Sequence, residues 1–444
     1  MQEPQYKIQN PPFKLPERAA ELLQDPAVVQ AVAQAQDRYL SWQEFQHKSW
    51  VPGDKQDVWG IVQMMRRVGT MPSPILDQSK NPFSFSPGDH AEFLHQVDLE
   101  LGGMFLGIEY FSEGDRRSII RRNLIEESIA SSQLEGANTS RAVAKKMLSE
   151  GRAARDKGEH MIVNNHETMR WIEEELKDQK LSMDLLLELH RRITRNTTSE
   201  KQQGVLRDTL DETGNPLVVK PWDDLTVAYV TPPREFVAHQ LPKLISFAND
   251  EMKSPTFIHP LVKGIMLHFW IGLLHPFEDG NGRLARILFY WYMLRKKYWA
   301  FSYLSISERI LKSPKQYAMA FIYSEQDNFD LNYFIHYNVA KIKLARQGLE
   351  EYVKGRIAES KKTSDAIKRN FGLNKRQTNL LQYLVKDEQR HTSLKEHMNV
   401  NDGIGKVTAS TDLRRLVEKG FLRKTRSGRN IFYYPTDELR ELLG

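Results

Sequence analysis

The stretch HPFEDGNGRLAR, His275 to Arg286, joins two apolar segments and decides how the centre of this chain folds. The segment before it, Pro260–Leu274, and the segment after it, which begins near Arg283, are both predicted to be helices. Gly280 and Gly282 lack a Cβ atom and adopt positive φ angles freely, so the main-chain N–H groups around them can form an anion-binding concavity. This concavity lies at the N-terminus of a helix, where unpaired N–H groups and the helix dipole favour a phosphate.

Side chains of the same stretch complete a set of groups for phosphate chemistry. Arg283 and Arg286 lie three residues apart near one helix end and can bind further phosphate oxygens. Asp279 is a carboxylate ligand suited to a Mg²⁺ ion that bridges two phosphates, and His275 is a candidate general base for a hydroxyl group. Together these groups indicate phosphoryl or nucleotidyl transfer. The stretch does not have the form GxxxxGK[ST], which excludes a P-loop NTPase.

Composition excludes several other classes of protein. The chain has 444 residues, of which 40% are hydrophobic and none is cysteine, so it is neither a disordered chain nor a disulfide-stapled secreted domain. A thiolate metal site and a cysteine nucleophile are excluded as well. The first residues, MQEPQYKIQNPPFKLPERAAE, do not have the pattern of a signal peptide. The longest apolar stretch, Gly264–Leu274, is shorter than the roughly 20 residues of a membrane span. We therefore expect a soluble, cytoplasmic protein with no membrane partner.

The sequence predicts a mainly α fold in four regions. Residues 1–90 form an N-terminal helical region with loops rich in Pro and Gly, and residues 91–340 form a helical core. Within this core, turn residues surround the β-prone runs LVV and LTVAYV, which predicts a small β-hairpin within about Leu217–Val230. Residues 341–370 are predicted to be a helical linker, and residues 371–444 form a second domain.

The order of elements in residues 371–444 is typical of a winged helix-turn-helix domain, because three short helices precede a hairpin. Between Phe371 and Tyr434 there are 13 basic and 6 acidic residues, a net charge of +7 in a chain whose total is +6. The recognition helix would be Thr408–Lys419, with Arg414 and Arg415. The wing would be Phe421–Tyr434, with cations around the Ser427–Gly428 turn at Arg423, Lys424, Arg426 and Arg429. These cations suit the phosphates of DNA, although winged helices also bind proteins, and both interpretations stay open.

The stretch His275–Arg286 resembles the signature HPFx[D/E]GNGRxxR of the Fic family at every fixed position. The resemblance extends to the helices and hairpin around it, over about Ala91–Ala340, and implies a Fic helical core with a hairpin flap. Most Fic proteins are adenylyltransferases. The resemblance therefore implies that this chain transfers AMP from ATP to a Ser, Thr or Tyr hydroxyl of a target protein, and of itself, and releases pyrophosphate.

The resemblance also implies a role for each residue of the motif. His275 would deprotonate the target hydroxyl, Asp279 would hold Mg²⁺, and Phe277 would anchor the loop. Main-chain groups of the loop, the Asn281 side chain and Arg283 would bind phosphate oxygens, and Arg286 would bind the γ-phosphate. The implied nucleotide-binding set is Asp279, Gly280, Asn281, Gly282, Arg283, Leu284, Ala285, Arg286 and Tyr317. Lys315 and Ser324 would join Tyr317 at the adenine end, and the flap would pair with an extended segment of the target protein.

A second motif resembles the inhibitory motif [S/T]xxxE[G/N] of the Fic family. It is Ser131-x-x-x-Glu135-Gly136, at the end of a predicted helix of about residues 118–136. A glutamate docked on the active site can pair with Arg286 and so remove the partner of the γ-phosphate. ATP would then bind with its α-phosphate misaligned for attack. The resemblance thus implies autoinhibition by Glu135.

Other functions remain open at this point. In some relatives the inhibitory glutamate serves removal of AMP, and other relatives transfer UMP, phosphocholine or a phosphate. A different class is a DNA-binding regulator whose core senses nucleotide without turnover. The complete set of His275, Asp279 and Arg286 favours an enzyme with ATP and Mg²⁺ as its ligands. A homodimer through the N-terminal helices is compatible with the sequence, but no feature decides it.

Overall fold

Helices dominate the structure, a computed structural model, which confirms the predicted mainly α class. The structure describes residues 4–101, 113–211, 214–220, 226–385, 391–401, 404–427, 430–437 and 439. Contacts divide the chain into two units, Met1–Leu349 and Glu350–Gly444. The division falls within residues 341–370, the predicted linker.

The N-terminal region is helical where its capping residues predict helices. Its helices are α1 (Ala19–Leu22), α2 (Pro26–Asp37), α3 (Trp42–Phe45) and α4 (Lys55–Arg67). Asp25 caps the N-terminus of α2 through the N–H of Ala27, and Pro26 takes the first helical position. A hairpin follows, β1 (Met71–Leu76) and β2 (Pro82–Phe85), in a region predicted to contain helices and loops.

The core of the first unit is built from eleven further helices among the described residues. They are α5 (Ala91–Leu101), α6 (Glu113–Gln133), α7 (Arg141–Glu150), α8 (Lys157–Trp171), α9 (Met183–Thr194), α10 (Arg234–Ala248), α11 (Pro260–Leu274), α12 (Asn281–Arg295), α13 (Ile306–Leu311), α14 (Pro314–Gln326) and α15 (Asn332–Phe371). Helix α15 begins in the first unit and covers the whole of the predicted linker. One π-helical turn, Ile172–Leu176, extends α8.

Helices α11 and α12 form the centre of this core. Nearly every residue of both helices is buried, which explains why neither sequence has a single apolar stripe. The two helices approach closely at Gly264, where an added Cβ atom would lie 3.1 Å from the sulfur of Met293 and 3.2 Å from the ring of Phe289. Both ends that meet at the turn His275–Gly280 are therefore held by a close-packed interior.

A short β-hairpin lies in the predicted interval. Strand β3 (Val218–Val219) pairs antiparallel with β4 (Tyr229–Val230), and residues 221–225 of the predicted hairpin lie outside the described residues. The main-chain N–H groups of Gln5 and Tyr6 donate to the carbonyl of Val227, at 2.8 and 3.2 Å.

The N-terminal segment is also tied to helix α14. Gln326 donates to the carbonyl of Tyr6 and accepts from the N–H of Ile8. Tyr6 and Ile8 pack on a buried cluster that includes Ala228 of the hairpin and Ile322 of α14. Residues 5–8 thus border the strand β4 side of the hairpin.

The second unit contains α16 (Lys375–Val385), α17 (Leu394–Val400) and α18 (Lys406–Glu418). Its strands β5 (Thr392–Ser393), β6 (Leu422–Ser427) and β7 (Asn430–Pro435) form an antiparallel sheet in the order β5-β7-β6. The three helices and the final hairpin follow the predicted order, whereas β5 was not predicted. Gly428 and Arg429 of the predicted wing turn lie outside the described residues.

Within the ranges that the structure describes, no helix combines the length and apolar character needed to cross a bilayer.

Close packing of α12 gives a prediction on stability. Replacing Leu288 of α12, which is fully buried, by Ala should lower the free energy of unfolding by about 2–5 kcal/mol, because the truncation leaves a cavity. The matched control Leu344→Ala, at a side chain that is 46% exposed, should change it by less than about 0.5 kcal/mol. Urea unfolding followed by tryptophan fluorescence measures both values. Equal losses would contradict a close-packed α12.

Candidate active site

The candidate site is the turn between α11 and α12. Helix α11 ends at Leu274, and His275 takes a left-handed conformation with φ of 45° and ψ of 57°. Gly280, with φ of 85°, is the N-cap of α12, which begins at Asn281, two residues earlier than predicted. The N-terminus of α12, with its unpaired N–H groups, therefore lies beside His275 at the end of α11.

Asn281 fixes the turn from within. Its Oδ1 accepts from the N–H of Phe277 at 3.0 Å, and its Nδ2 donates to the carbonyl of Phe277 at 2.7 Å. Both residues are buried. Both polar atoms of the Asn281 side chain thus bind inside the loop, and its predicted role in binding phosphate oxygens stays a prediction.

His190 of α9 packs against the turn and binds it. Its ring stacks on that of Phe277 with centroids 3.6 Å apart and an interplanar angle of 7°. Its Nδ1 accepts from the N–H of Gly204 at 3.0 Å, so Nε2 carries the proton and donates to the carbonyl of Asp279 at 2.8 Å. Burial lowers the pKa of His190 to about 4. The neutral imidazole therefore holds the carbonyl of the predicted metal ligand in place.

Gly280 is confined by the same helix. An added Cβ atom would lie 2.9 Å from Cγ2 of Thr194, and the positive φ angle disfavours any side chain. Arg283 reaches back to α9 as well, where its Nη1 donates to the carbonyl of Ile193 at 2.8 Å. Helix α9 thus fixes the conformation of the turn at several points.

Arg286 binds the end of α6. Its Nε donates to Oγ of Ser131 at 2.8 Å, and its Nη2 donates to the carbonyl of Ser131 at 2.8 Å. The same Nη2 lies 3.0 Å from Oε1 of Glu135. Nη1 of Arg286 is buried and has no hydrogen-bond partner in the structure as described. The structure therefore brings together the residues of the two predicted motifs.

The Glu135 carboxylate also covers the start of α12. A Cβ atom added to Gly282, the second residue of the helix, would overlap this carboxylate. Glu135 follows the C-terminal end of α6 in a turn in which Gly136 adopts a φ angle of 91°. A negative group thus already occupies the position that a helix N-terminus and an arginine prepare for an anion.

Helix α6 is anchored by a second glutamate, Glu127. Its carboxylate accepts from the N–H of Ser307 at 2.9 Å and from Oγ of Ser305 at 3.1 Å. Burial raises the pKa of Glu127, against the opposing effect of these hydrogen bonds. The helix that precedes Glu135 is thereby bound to the start of α13.

Asp279 keeps part of its carboxylate accessible, with a side chain that is 35% exposed. Its Oδ1 accepts from the N–H of Gly280 at 2.6 Å and lies 3.4 Å from Nη2 of Arg283. Its Oδ2 lies 3.7 Å from Nζ of Lys157. In the part of the chain that the structure describes, no group of three or more His, Cys, Asp or Glu side chains could hold a metal. The protein thus offers one carboxylate at this position.

His275 is fixed through its main chain. Its carbonyl accepts from Nε of Arg207 at 2.6 Å, and its N–H donates to the carbonyl of Ile271 at 2.9 Å. Burial lowers the pKa of His275 to about 4; Arg207 lowers it further, while Glu135 and Asp279 act in the opposite direction. The imidazole is therefore neutral at pH 7 and can accept a proton.

The residues expected at the adenine end do not lie together. Tyr317 is near the site, since its hydroxyl lies 2.7 Å from Nε2 of His268 and Arg286 acts on its pKa, which burial raises to about 12. Ser324 is fully buried, and its hydroxyl accepts from the N–H of Phe334 at 3.2 Å. Lys315 instead lines a separate cavity of about 560 Å³ with Tyr39. The assignment of Ser324 and Lys315 to the adenine end stays a prediction.

Sequence reasoning missed His190 and Arg207. Leu284 and Ala285, which were included, are buried and offer only main-chain groups. A histidine within a predicted helix and an arginine before a hairpin carry no local pattern that distinguishes them. Spacing could not have found them, because both act through main-chain atoms that only the fold brings near.

Comparison with known proteins finds a family match that includes the turn. Residues 180–293 match the sequence model of the Fic/DOC family. The chain is 34% identical to protein adenylyltransferase fic-1 of Caenorhabditis elegans over 116 residues, which are 26% of this chain and 20% of that protein. It is 26% identical to protein adenylyltransferase Fic of Nematostella vectensis over 131 residues, 29% of this chain and 26% of that protein. The chain thus spans about a fifth of the length of the first of these relatives.

Among solved structures, a Fic family protein from Desulfovibrio desulfuricans aligns with a TM-score of 0.47 and 17% identity, covering 78% of this chain and 96% of that one. A fragment of Fic-1 from Caenorhabditis elegans aligns with a TM-score of 0.45 and 20% identity, over 59% of this chain and 70% of that one.

The lowered pKa of His190 predicts a dependence of stability on pH. An imidazole in the unfolded chain has a pKa of about 6.5, whereas that of His190 is about 4. Its contribution is therefore fully present above pH 6.5 and is lost as the pH falls towards 4, because the unfolded state binds the proton first. His190→Asn should reduce the slope of unfolding free energy against pH in this window by up to about 1.4 kcal/mol per pH unit.

Denaturant unfolding at several pH values measures this slope. The control His239→Asn, at an exposed histidine, should leave the slope unchanged. A slope that is the same in His190→Asn and in the unsubstituted protein would contradict a buried neutral imidazole at this position.

Proposed function

We propose that this chain, which contains a Fic domain, transfers AMP from ATP to a Ser, Thr or Tyr hydroxyl of a target protein and of itself. The observation that carries the proposal is the position of the Glu135 carboxylate, over Gly282 and beside Arg286. A site that accepts a carboxylate at a helix N-terminus next to an arginine is suited to a phosphate group. The neutral imidazole of His275 borders the same turn, so base and anion site lie together.

His275 would act as the general base. It accepts the proton of the target hydroxyl as the oxygen attacks the α-phosphorus of ATP; the bond from this phosphorus to the bridging oxygen breaks, and pyrophosphate leaves. The products are the AMP ester of the target and pyrophosphate. The negative charge of a bound triphosphate raises the pKa of a nearby imidazole, which brings the basicity of His275 closer to the pH at which it works.

The main chain from Gly280 to Gly282 would bind phosphate oxygens through the unpaired N–H groups of α12. Arg286 would bind the γ-phosphate once Glu135 has left, since its guanidinium then has Nη2 and the unpartnered Nη1 available. Arg283 is fully buried and held by α9, so its charge acts mainly by favouring an anion at the helix end. Tyr317 would border the nucleotide beside Arg286.

Asp279 would hold Mg²⁺. A single half-exposed carboxylate fits this ion, because Mg²⁺ usually takes one or two protein carboxylates and completes its shell with phosphate oxygens and water. When bound, the ion neutralises charge on the α- and β-phosphates. Lys157, 3.7 Å from the same carboxylate, is the cation that Mg²⁺ would replace as its partner.

Glu135 would inhibit transfer. While it pairs with Arg286 and covers Gly282, the γ-phosphate has neither its arginine nor space at the helix end. The hairpin of β3 and β4 would serve as the flap on which an extended segment of the target pairs. Residues 5–8 already border the β4 side of this hairpin, so the target segment would pair on the β3 side.

Glu135→Gly gives the main test. We expect self-modification with labelled ATP to rise about 10- to 100-fold, because a misplacement of about 1 Å at the reacting atoms costs on the order of 100-fold in rate. The control Glu150→Gly, at the exposed end of α7, should leave the rate unchanged. Adding His275→Ala to Glu135→Gly should lower transfer at least about 100-fold while ATP still binds. Persistent transfer without His275 would refute its role as base.

For the second unit we propose a winged helix that binds DNA through phosphate contacts. The supporting observation is a set of exposed cations on two of its elements. Arg414 and Arg415 lie on α18, and Arg423, Lys424 and Arg426 lie on β6. Cations on a recognition helix and on an adjacent hairpin can contact phosphates on both sides of a groove.

This proposal predicts salt-dependent binding. The double variant Arg415→Gln/Lys424→Gln should reduce the slope of log affinity against log salt by about 2, since each lost phosphate contact removes close to one unit. Fluorescence anisotropy with a short DNA duplex at several salt concentrations measures the slope. The control Lys312→Gln, a surface cation of the other unit, should leave it unchanged. Absence of salt-dependent binding by the unsubstituted protein would exclude DNA as the partner.

A further inference from the structure

The C-terminal end of α11 has no glycine cap, and its last carbonyls are bound by two side chains from outside the helix. Arg207 Nη2 donates to the carbonyl of Leu274 at 3.4 Å, and Arg207 Nε donates to that of His275 at 2.6 Å. The main-chain N–H of Arg207 donates to the carbonyl of Pro276 at 3.0 Å. Tyr229 of β4 donates its hydroxyl to the carbonyl of Leu273 at 2.8 Å.

Arg207 reaches the base of the hairpin at the same time. Its Nη2 donates to the carbonyl of Pro232, two residues after β4, at 2.7 Å, and its Nη1 donates to the carbonyl of Asp208 at 2.9 Å. Arg207 is 3% exposed, and each acceptor recorded for its guanidinium among the described residues is a main-chain carbonyl. Burial lowers the pKa of Arg207, although the neighbouring Tyr229 opposes this effect.

A buried cation without a carboxylate is costly unless its N–H groups are all satisfied. Here four hydrogen bonds of one residue join the end of α11, the turn and the hairpin base, and a fifth goes to the carbonyl of Asp208. The left-handed conformation of His275 is strained for a residue with a side chain, and the hydrogen bond from Arg207 to its carbonyl opposes relaxation towards a right-handed conformation. The same bond restricts how far the hairpin base can move relative to the imidazole.

We infer that Arg207 is a positioning residue that couples the hairpin to His275, so that docking of a target segment on the hairpin sets the approach of its hydroxyl to the imidazole. The inference rests on the proposed function for its catalytic consequence, but the coupling itself is a property of the fold. Arg207 also contributes charge beside His275, where it lowers the imidazole pKa against the effects of Glu135 and Asp279.

The test uses the full chain with Glu135→Gly as parent and adds Arg207→Gln, Arg207→Lys or the control Arg234→Gln. Arg234 begins α10 beside the hairpin and pairs with Asp208 at the surface. With ATP, Mg²⁺ and self-modification as the reaction, Arg207→Gln should lower kcat at least about tenfold and change KM for ATP less than about twofold, because positioning affects the reacting atoms and not the nucleotide site. Arg207→Lys should restore part of kcat, and Arg234→Gln should match the parent.

Hydrogen exchange tests the coupling without any reaction. In Arg207→Gln, amide exchange should become faster both in peptides that cover residues 226–231 and in peptides that cover 273–279, with no change in α9. Tyr229→Phe, which removes one hydroxyl and keeps the ring, should cause a smaller change in the same two regions and serves if Arg207→Gln does not fold. The inference would be overturned if amide exchange became faster in only one of the two regions. It would also be overturned if Arg207→Gln changed kcat no more than Arg234→Gln does.

These readouts separate the two hypotheses. If the Glu135→Gly parent transfers no AMP, the proposed function fails, whereas coupled exchange in the two regions still supports the role of Arg207. If the parent is active and exchange is not coupled, the role of Arg207 fails and the proposed function stands.

Discussion

The six residues of the turn separate the C-terminus of the buried helix α11 from the N-terminus of the buried helix α12. The main-chain groups that these two helix ends leave unpaired determine which side chains the protein places around the turn. Helix α11 leaves carbonyls without partners, and α12 leaves N–H groups without partners. The protein supplies Arg207 and Tyr229 to the carbonyls. At the N–H end, the carboxylate of Glu135 lies over Gly282. The carbonyl end is thus bound by side chains, and the N–H end faces a carboxylate.

Glu135 follows a helix, α6, that is firmly held. Glu127 ties α6 to Ser305 and Ser307, and Asn123 of the same helix donates to the carbonyl of Tyr303. Glu135 lies beyond the last helical turn, before the positive φ angle of Gly136. Movement of Glu135 therefore does not require α6 to leave its place, because the turn can rearrange while the helix stays packed.

The turn itself could be predicted from the sequence, whereas most of its supports could not. Glycines at positions 280 and 282 and the charges around them have local consequences, so their arrangement at a helix N-terminus followed from spacing alone. His190 and Arg207 act on main-chain atoms that lie 68 to 89 positions away, and a single sequence contains no signal for such contacts. The hydroxyl of Ser324 accepts from the N–H of Phe334, a contact that the sequence did not reveal.

The fold, too, could be predicted where the signal is local and could not be predicted elsewhere. Long helices with caps were found from their periodicity, and α2 began where Asp25 and Pro26 placed it. Strand β5 has two residues, too few for any alternation to be visible. The start of α15 at Asn332 could not be placed either, since the helical pattern continues through the boundary between the core and the predicted linker.

The contact between residues 5–8 and the hairpin has a consequence for how such a small sheet persists. Two strands of two residues each are too short to be stable by themselves in water. Main-chain bonds from Gln5 and Tyr6 to Val227 add a neighbour along the β4 border, and the side chain of Gln326 holds this neighbour in register. The hairpin is therefore supported by residues more than 200 positions earlier in the chain, and a substitution at residues 5–8 acts on the sheet that carries Tyr229.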